Sequence, residues 1–221
     1  MSDVNPKRAY ASAVRQETAR QTRQRILDAA RELFLSRGYV ATSVDAIANA
    51  AGVAKPTVFT AVGSKRVVLE RLRDLALAGD DEPVPVAHRP WYREALEASD
   101  PHRVLRLHAR NVTRIAQRVA ALDLVLERAA GADPDLTEVW GRAEQSRRIG
   151  AGYIVDAVRQ TSRLRPGLTR ERAIDILWTL TGTGIYDRLT VQSGWSNARY
   201  ETWLADLFTS QLLPMPTPPT P

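Results

Sequence analysis

Apolar positions first fall into a regular pattern at Ile26. Ile26, Leu27, Ala30, Leu33 and Phe34 share one stripe at helical spacing, and Gly38 is a natural helix stop. Val44, Ile47, Ala48 and Ala51 make the inner face of a short second helix. Thr42 or Ser43 supplies its cap and Gly52 its end. A third short helix covers residues 55–62, where Pro56 is tolerable only because it lies in the first turn. After Gly63, Ser64 caps a fourth helix over 65–78, with Val68, Leu69, Leu72 and Leu75 inward.

Residues 79–99 hold three prolines and an acidic cluster, and read as a long loop with one helical turn near Trp91 to Leu96. Asp100-Pro101 then opens a helix whose stripe is Leu105, His108, Ala109, Val112, Ile115, Ala116 and Val119. Leu122, Val125, Leu126 and Ala129 follow in the same helix or a separate one. Asp133-Pro134 restarts the chain. Leu136, Val139, Trp140, Ala143, Ile154 and Val158 lie along a helix that must end before Pro166-Gly167. Thr169 opens the next, with Ile176, Leu177, Leu180 and Leu189 inward and Gly182 and Gly184 weakening its middle. Ser196 caps a last helix that lines up Tyr200, Trp203, Leu204, Leu207, Phe208 and Gln211.

No strand pair or internal repeat emerges. The expected fold is all-α: an N-terminal three-helix helix-turn-helix domain and a C-terminal helical bundle, about nine helices in total. The expected division is a disordered basic arm over 1–17, the helix-turn-helix over 18–64 and a connecting helix over 65–78. A helical ligand-binding and dimerisation domain follows over 79–213, then a disordered Pro-rich tail over 214–221.

Charge sharpens this division. Residues 1–78 carry 13 Lys and Arg against 7 Asp and Glu, and residues 79–221 carry 18 of each, so the whole surplus of six sits in the first third. A basic segment on a neutral body points to an anionic partner for that segment alone. The competing explanation is a preference for Arg on solvated faces, since Arg outnumbers Lys 28 to 3. The 221-residue chain has no cysteine, which removes disulfides and thiolate zinc sites. It has no apolar run of membrane-spanning length and no secretory leader pattern at its start. The expectation is a cytoplasmic protein without a membrane partner.

The strongest local signal is the succession capped helix, Gly52, second short helix across 42–62, the spacing of a helix-turn-helix. Ala48 and Ala51 let two helices cross closely, and a short helix with one polar side can enter a major groove about 12 Å wide. Lys55, Thr57, Phe59 and Thr60 are the candidate outward residues. Lys55 supplies charge, and the threonines can reach base edges or phosphates. Phe59 fits a thymine methyl, a backbone sugar or the protein core. A plain helical hairpin would show the same spacing.

Residues 25–30 (RILDAA), Leu33-Phe34 and Gly38-Tyr39 resemble the opening helix of the TetR family of transcriptional regulators. Thr42-Ser43-Val44-Asp45-Ala46-Ile47-Ala48, Ala51-Gly52-Val53, Thr57-Val58-Phe59 and Gly63-Ser64-Lys65 continue the resemblance in register. It covers about residues 20–75, and 57–65 is similar to an actinobacterial-type branch. The resemblance implies that the third helix reads DNA through Lys55, Thr57, Phe59 and Thr60. It also implies that Thr42 or Ser43, and Lys65, touch phosphates, as a helix N-terminus and a nearby cation can. Two departures bear on affinity: Ala61 replaces an aromatic phosphate contact, and Ala54 replaces a Ser cap. The arm, with Lys7, Arg8, Arg15, Arg20, Arg23 and Arg25, suits either a minor groove or a solvated tail.

The C-terminal helices offer no catalytic set, no metal-ligand spacing and no implied cofactor: His88, His102 and His108 are scattered, and no HExxH or GxSxG occurs. The resemblance implies a ligand cavity, for which His108, Asn111, Trp140, Trp178, Thr181 and Tyr186 are the lining candidates; each also suits a core position. It further implies a homodimer joined by its last two long helices, with Tyr200, Trp203, Leu204, Leu207 and Phe208 as candidate interface residues; intramolecular core is the alternative. The resulting expectation is a ligand-responsive regulator, most simply a repressor released from a palindromic operator on double-stranded DNA by a small apolar or aromatic effector. A helical enzyme or carrier with incidental charge, and a DNA-binding regulator without a ligand, are the competing readings.

Overall fold

The structure is a computed structural model and describes residues 6–80, 82 and 84–215, with side chains from residue 14 onward. Among the described residues ten α-helices follow one another: α1 Pro6–Arg37, α2 Val44–Ala51, α3 Lys55–Ala61, α4 Lys65–Ala78, α5 Pro90–Leu96, α6 Pro101–Ala130, α7 Pro134–Thr161, α8 Arg170–Leu180, α9 Thr183–Tyr186 and α10 Asn197–Leu212. A 3₁₀ turn, Val86–His88, precedes α5, and a π-helical stretch, Asp187–Gln192, follows α9. There is no strand among the described residues.

Side-chain caps set most of the starts. Ser43, Ser64, Thr169 and Ser196 each accept a backbone N–H three residues on. Asp100 and Asp133 cap the two longest helices of the body, each with Pro at the first position. Gly52 and Gly79 close α2 and α4 in the left-handed region, with φ of 64° and 91°.

Apolar side chains gather into two cores. The first joins α1–α4 to the far ends of α6 and α7: Ile26, Phe34, Ile47, Val58 and Leu69 pack in one cluster with Leu122, Leu126 and Leu136. The second lies among α5–α10 and includes Leu105, Ile154, Leu177, Tyr200, Leu204 and Phe208. The helix-turn-helix therefore shares a hydrophobic core with the body it sits on.

Several expectations change. The arm expected over 1–17 is helical from Pro6 and continuous with α1; residues 1–5 lie outside the described residues. Absence of an apolar stripe does not prevent a helix here. Between Pro6 and Gly38 there is no Gly or Pro, and Glu17 pairs with Arg20 and Gln21 one turn on. Beyond Met215 the Pro-rich tail also lies outside the described residues. Residues 101–130 form one helix, α6. The stretch expected as one helix from Thr169 through Leu189 breaks at Thr181-Gly182: the Thr181 hydroxyl donates to the Trp178 carbonyl, and Gly182 then starts α9. That break adds the short helix α9, and the ten helices among the described residues agree with the expectation of about nine.

Candidate nucleic-acid interface and its coupling to the helical body

Local chemistry builds the α2–α3 unit. The Ser43 hydroxyl accepts the Ala46 N–H at 3.1 Å, Gly52 makes the turn, and Val58 anchors α3 in the core. With its inner side fixed by Val58, α3 turns Lys55, Phe59 and Thr60 outward, and Thr57 is half-buried. Phe59 is 48% exposed, which removes it from the core and leaves a phenyl ring on the outer surface. The Thr60 hydroxyl donates to the Pro56 and Thr57 carbonyls, keeping its oxygen available as an acceptor. The Lys55 ammonium lies 2.9 Å from Asp45 in a largely exposed pair. Such pairs are weak, so Lys55 can exchange Asp45 for a phosphate.

Two residues placed at phosphates by resemblance have other partners. Thr42 is only 1% exposed, and its hydroxyl donates to the Gly38 carbonyl at 2.8 Å, closing the α1–α2 turn. Ser43, not Thr42, is the exposed hydroxyl of that pair. Lys65 donates to the Tyr39 and Thr42 carbonyls at 3.0 and 2.9 Å, and its ammonium sits 4.1 Å above the Tyr39 ring. Burial lowers its pKa. Lys65 thus ties the α1–α2 turn to α4 and retains one of three donors for an anion. Sequence reasoning missed two further features. Val40 is 77% exposed at the tip of that turn. Arg23 reaches from α1 to the Ala61 carbonyl at 3.1 Å, a cation at the C-terminal end of α3.

Helix α4 carries the connection to the body. Arg73 and Asp123 of α6 form an ion pair at 2.6 Å, with side chains 15% and 6% exposed. Burial pushes the Asp123 carboxyl up, and the Arg73 guanidinium opposes that shift. Arg118 donates to the Ala76 and Leu77 carbonyls, satisfying the C-terminal end of α4.

Of the six residues proposed to line a cavity, His108 and Asn111 share one face of α6 and Trp178 and Thr181 share Arg147, but the six do not gather around one space. Trp140 packs against the first core. His108 stacks on Phe208 of α10, centroids 5.3 Å apart, and the Asn111 amide donates to the Trp91 carbonyl at 2.9 Å. The Trp178 indole donates to Glu144, while Arg147 reaches the Trp178 carbonyl and the Thr181 hydroxyl. The Tyr186 hydroxyl donates to Asn197. An open cleft of about 630 Å³ lies elsewhere, between the α7–α8 turn and the end of α10, lined by Arg165, Arg172, Ile176 and Leu213. The interface candidates divide too. Tyr200, Leu204 and Phe208 are fully buried in this chain's own core, and only Trp203 and Leu207 keep exposed surface. The stripe along α10 is wide enough for two faces, and α6 supplies the partner for one of them.

Burial keeps His108 neutral, its pKa pushed down from 6.5 to about 4. The unfolded chain therefore takes up this proton first as pH falls. The His108 contribution to stability is complete above pH 6.5, is lost progressively toward pH 4, and levels off below. Parent protein should lose roughly 2 kcal/mol more than His108→Phe between pH 7 and pH 5. Urea unfolding at the two pH values measures the difference; equal losses would show an accessible, normally titrating imidazole.

Among the described residues no three His, Asp or Glu side chains are grouped to hold a metal ion, and no helix is long and apolar enough to cross a membrane.

Residues 26–72 match the sequence profile of the family described as bacterial regulatory proteins, tetR family. A search of curated protein sequences finds no match. Among solved structures the chain is similar to NalD, the secondary repressor of the MexAB-OprM multidrug efflux pump in Pseudomonas aeruginosa. The TM-score is 0.68 at 24% identity, over 89% of this chain and 98% of that one. It is similar to SmeT in its triclosan complex, TM-score 0.66 at 18% identity, over 90% and 98%. It is also similar to PfmR, a TetR family transcriptional regulator from Thermus thermophilus, TM-score 0.59 at 20% identity, over 87% and 96%. At such identities the likeness carries the fold. Residues 26–72 thus match a TetR-family N-terminal domain, and over 89% of its length the chain has the fold of TetR-type transcriptional regulators, a helix-turn-helix on a helical body.

Proposed function

We propose that the chain is a ligand-responsive, homodimeric transcriptional regulator, a repressor that leaves a palindromic operator when a small apolar or aromatic molecule binds its helical body. The observation that supports it most is the outer face of α3, where Lys55, Phe59 and Thr60 stand exposed on a basic helix-turn-helix. Lys55 and the exposed Ser43 position the unit on phosphates, Thr60 reads a base edge, and Phe59 meets a thymine methyl or sugar. Trp203 and Leu207 on α10, with Ile176 and Leu180 on α8, are half-buried apolar residues suited to a second copy. NalD is a repressor and SmeT binds triclosan, which makes repression and an aromatic effector natural assignments for this chain. The site of action is the cytoplasm, where the DNA is.

The effector acts by population shift. A molecule that favours a body conformation with misplaced recognition helices lowers DNA affinity by its difference in affinity for the two conformations. Helix α4 transmits the change, because Arg73 and Arg118 hold it to α6. The dispersal of the six candidate lining residues favours a second reading, a DNA-binding regulator controlled without a small molecule. A thermal-shift screen with aromatic compounds separates the two.

The DNA contacts are tested on a retained genomic fragment. Lys55→Ala should weaken binding to all sequences alike and reduce the log–log salt slope by about one. Thr60→Ala should change base preference by roughly 1–3 kcal/mol at one position. An unchanged salt slope in Lys55→Ala would show that Lys55 makes no phosphate contact.

A further inference from the structure

The second core holds polar atoms that have nothing to bond. His108 Nε2, Asn111 Oδ1 and the Tyr200 hydroxyl are buried without a hydrogen-bond partner among the described residues. A fourth such atom, Arg110 Nε, belongs to a guanidinium already paired with Glu94. Buried polar atoms in folded proteins are nearly all paired, so each exception asks for a cause.

His108 and Asn111 lie three residues apart on α6, which places both on one face of the helix. The Asn111 amide has a fixed orientation. Its Nδ2 donates to the Trp91 carbonyl, which can only accept, so its free Oδ1 can only accept and requires a donor. The His108 ring is neutral and stacked on Phe208, and burial alone governs its protonation, with no charged side chain acting on it. A neutral imidazole with its proton on Nε2 offers a donor there.

We propose that His108 and Asn111 form the polar anchor of the effector site, and that the effector is an uncharged aromatic alcohol. The His108–Phe208 stack parts to admit its ring. Its hydroxyl accepts from His108 Nε2 and donates to Asn111 Oδ1. A hydroxyl is the smallest group that does both. A carboxylate brings no donor for Asn111 and would be buried without a cation, and an ammonium would be buried without a carboxylate. The anchor lies on α6, the helix that also carries Arg118 and Asp123, so an effector seated there bears directly on the helix that holds α4. The inference rests on reading the helical body as an effector domain.

Isothermal titration of the full chain with phenol, 2-naphthol and 9-phenanthrol tests it, each beside its parent hydrocarbon and its carboxylate analogue. At least one alcohol should bind, tenfold or more tighter than both analogues. His108→Phe, which keeps a ring against Phe208, and Asn111→Leu should each bring that alcohol and its hydrocarbon within about twofold. Retained helicity and DNA binding would show that both variants are folded. The anchor is overturned if none of the three alcohols binds, if a carboxylate binds as tightly, or if the preference survives either substitution. DNA retention in the same samples separates the two levels. DNA binding without alcohol binding refutes the anchor and leaves the regulator standing. Binding with the predicted preferences but no DNA release upholds the anchor and refutes its role as effector site.

Discussion

Arg73→Met should lower the unfolding free energy by about 3–5 kcal/mol, the range for breaking a buried ion pair, and lower Tm by roughly 10 °C. The loss comes less from the missing attraction than from the carboxylate left behind. Asp123 is enclosed by the first core, and its side chain is 6% exposed. Without the guanidinium 2.6 Å away it must stay charged in an apolar setting or take up a proton. Burial already pushes its pKa up, and loss of Arg73 removes the main opposing influence. The sign with pH follows. The folded variant binds a proton that the unfolded chain releases at the ordinary carboxylate pKa. The variant's deficit should therefore be smaller at pH 5 than at pH 8. Arg73→Met with Asp123→Leu should recover most of the stability, since a buried pair replaced by apolar groups is often neutral. The recovered protein should still bind DNA, but with weakened release by effector, because α4 has lost a tie to α6. Chemical unfolding at two pH values measures the first part; a deficit independent of pH would mean that Asp123 finds another cation.

The second large effect separates the two faces of α10. Phe208→Ala should cost about 3–5 kcal/mol, because Phe208 is fully buried and stacked on His108. Leu207→Ala, one residue away on the half-buried face, should cost less than about 1 kcal/mol in the monomer. Charge should reverse the ranking for assembly. Trp203→Glu with Leu207→Glu should leave a folded protein that runs as a monomer and binds the operator at least a hundredfold more weakly, since each half-site then binds alone. Light scattering that still shows a dimer would place the interface on another surface. Phe208→Glu is unsuitable for this test, because it would unfold the chain.

These two sites also mark where the sequence can and cannot be read. The helix-turn-helix was legible because its determinants are local: Ser43, Gly52 and Ser64 act on neighbours within a few residues, and Ala48 and Ala51 mark the crossing. Even there Thr42 and Ser43 were equivalent by pattern, since either hydroxyl can cap a helix. Only the turn that buries Thr42 against the Gly38 carbonyl distinguishes them. Lys65 carried a charge at a phosphate-like position, but its carbonyl partners lie 26 and 23 residues back. Arg73 and Asp123 are 50 residues apart, and no periodicity connects them. On α10 the apolar stripe included both Phe208 and Leu207, and the pattern does not say which half faces α6. For α1 the inference from aperiodicity to disorder failed, because a solvated helix needs good helix formers and no apolar stripe.

The central claim is that α3 reads a specific duplex as part of a two-fold assembly. The most direct measurement incubates the purified chain with sheared genomic duplexes and excess non-specific competitor, and sequences the retained fragments. The account predicts a few discrete fragments that share an inverted repeat, with enrichment lost in a Lys55→Ala, Thr60→Ala double variant. Uniform retention of all fragments, or enrichment that survives that variant, would contradict it.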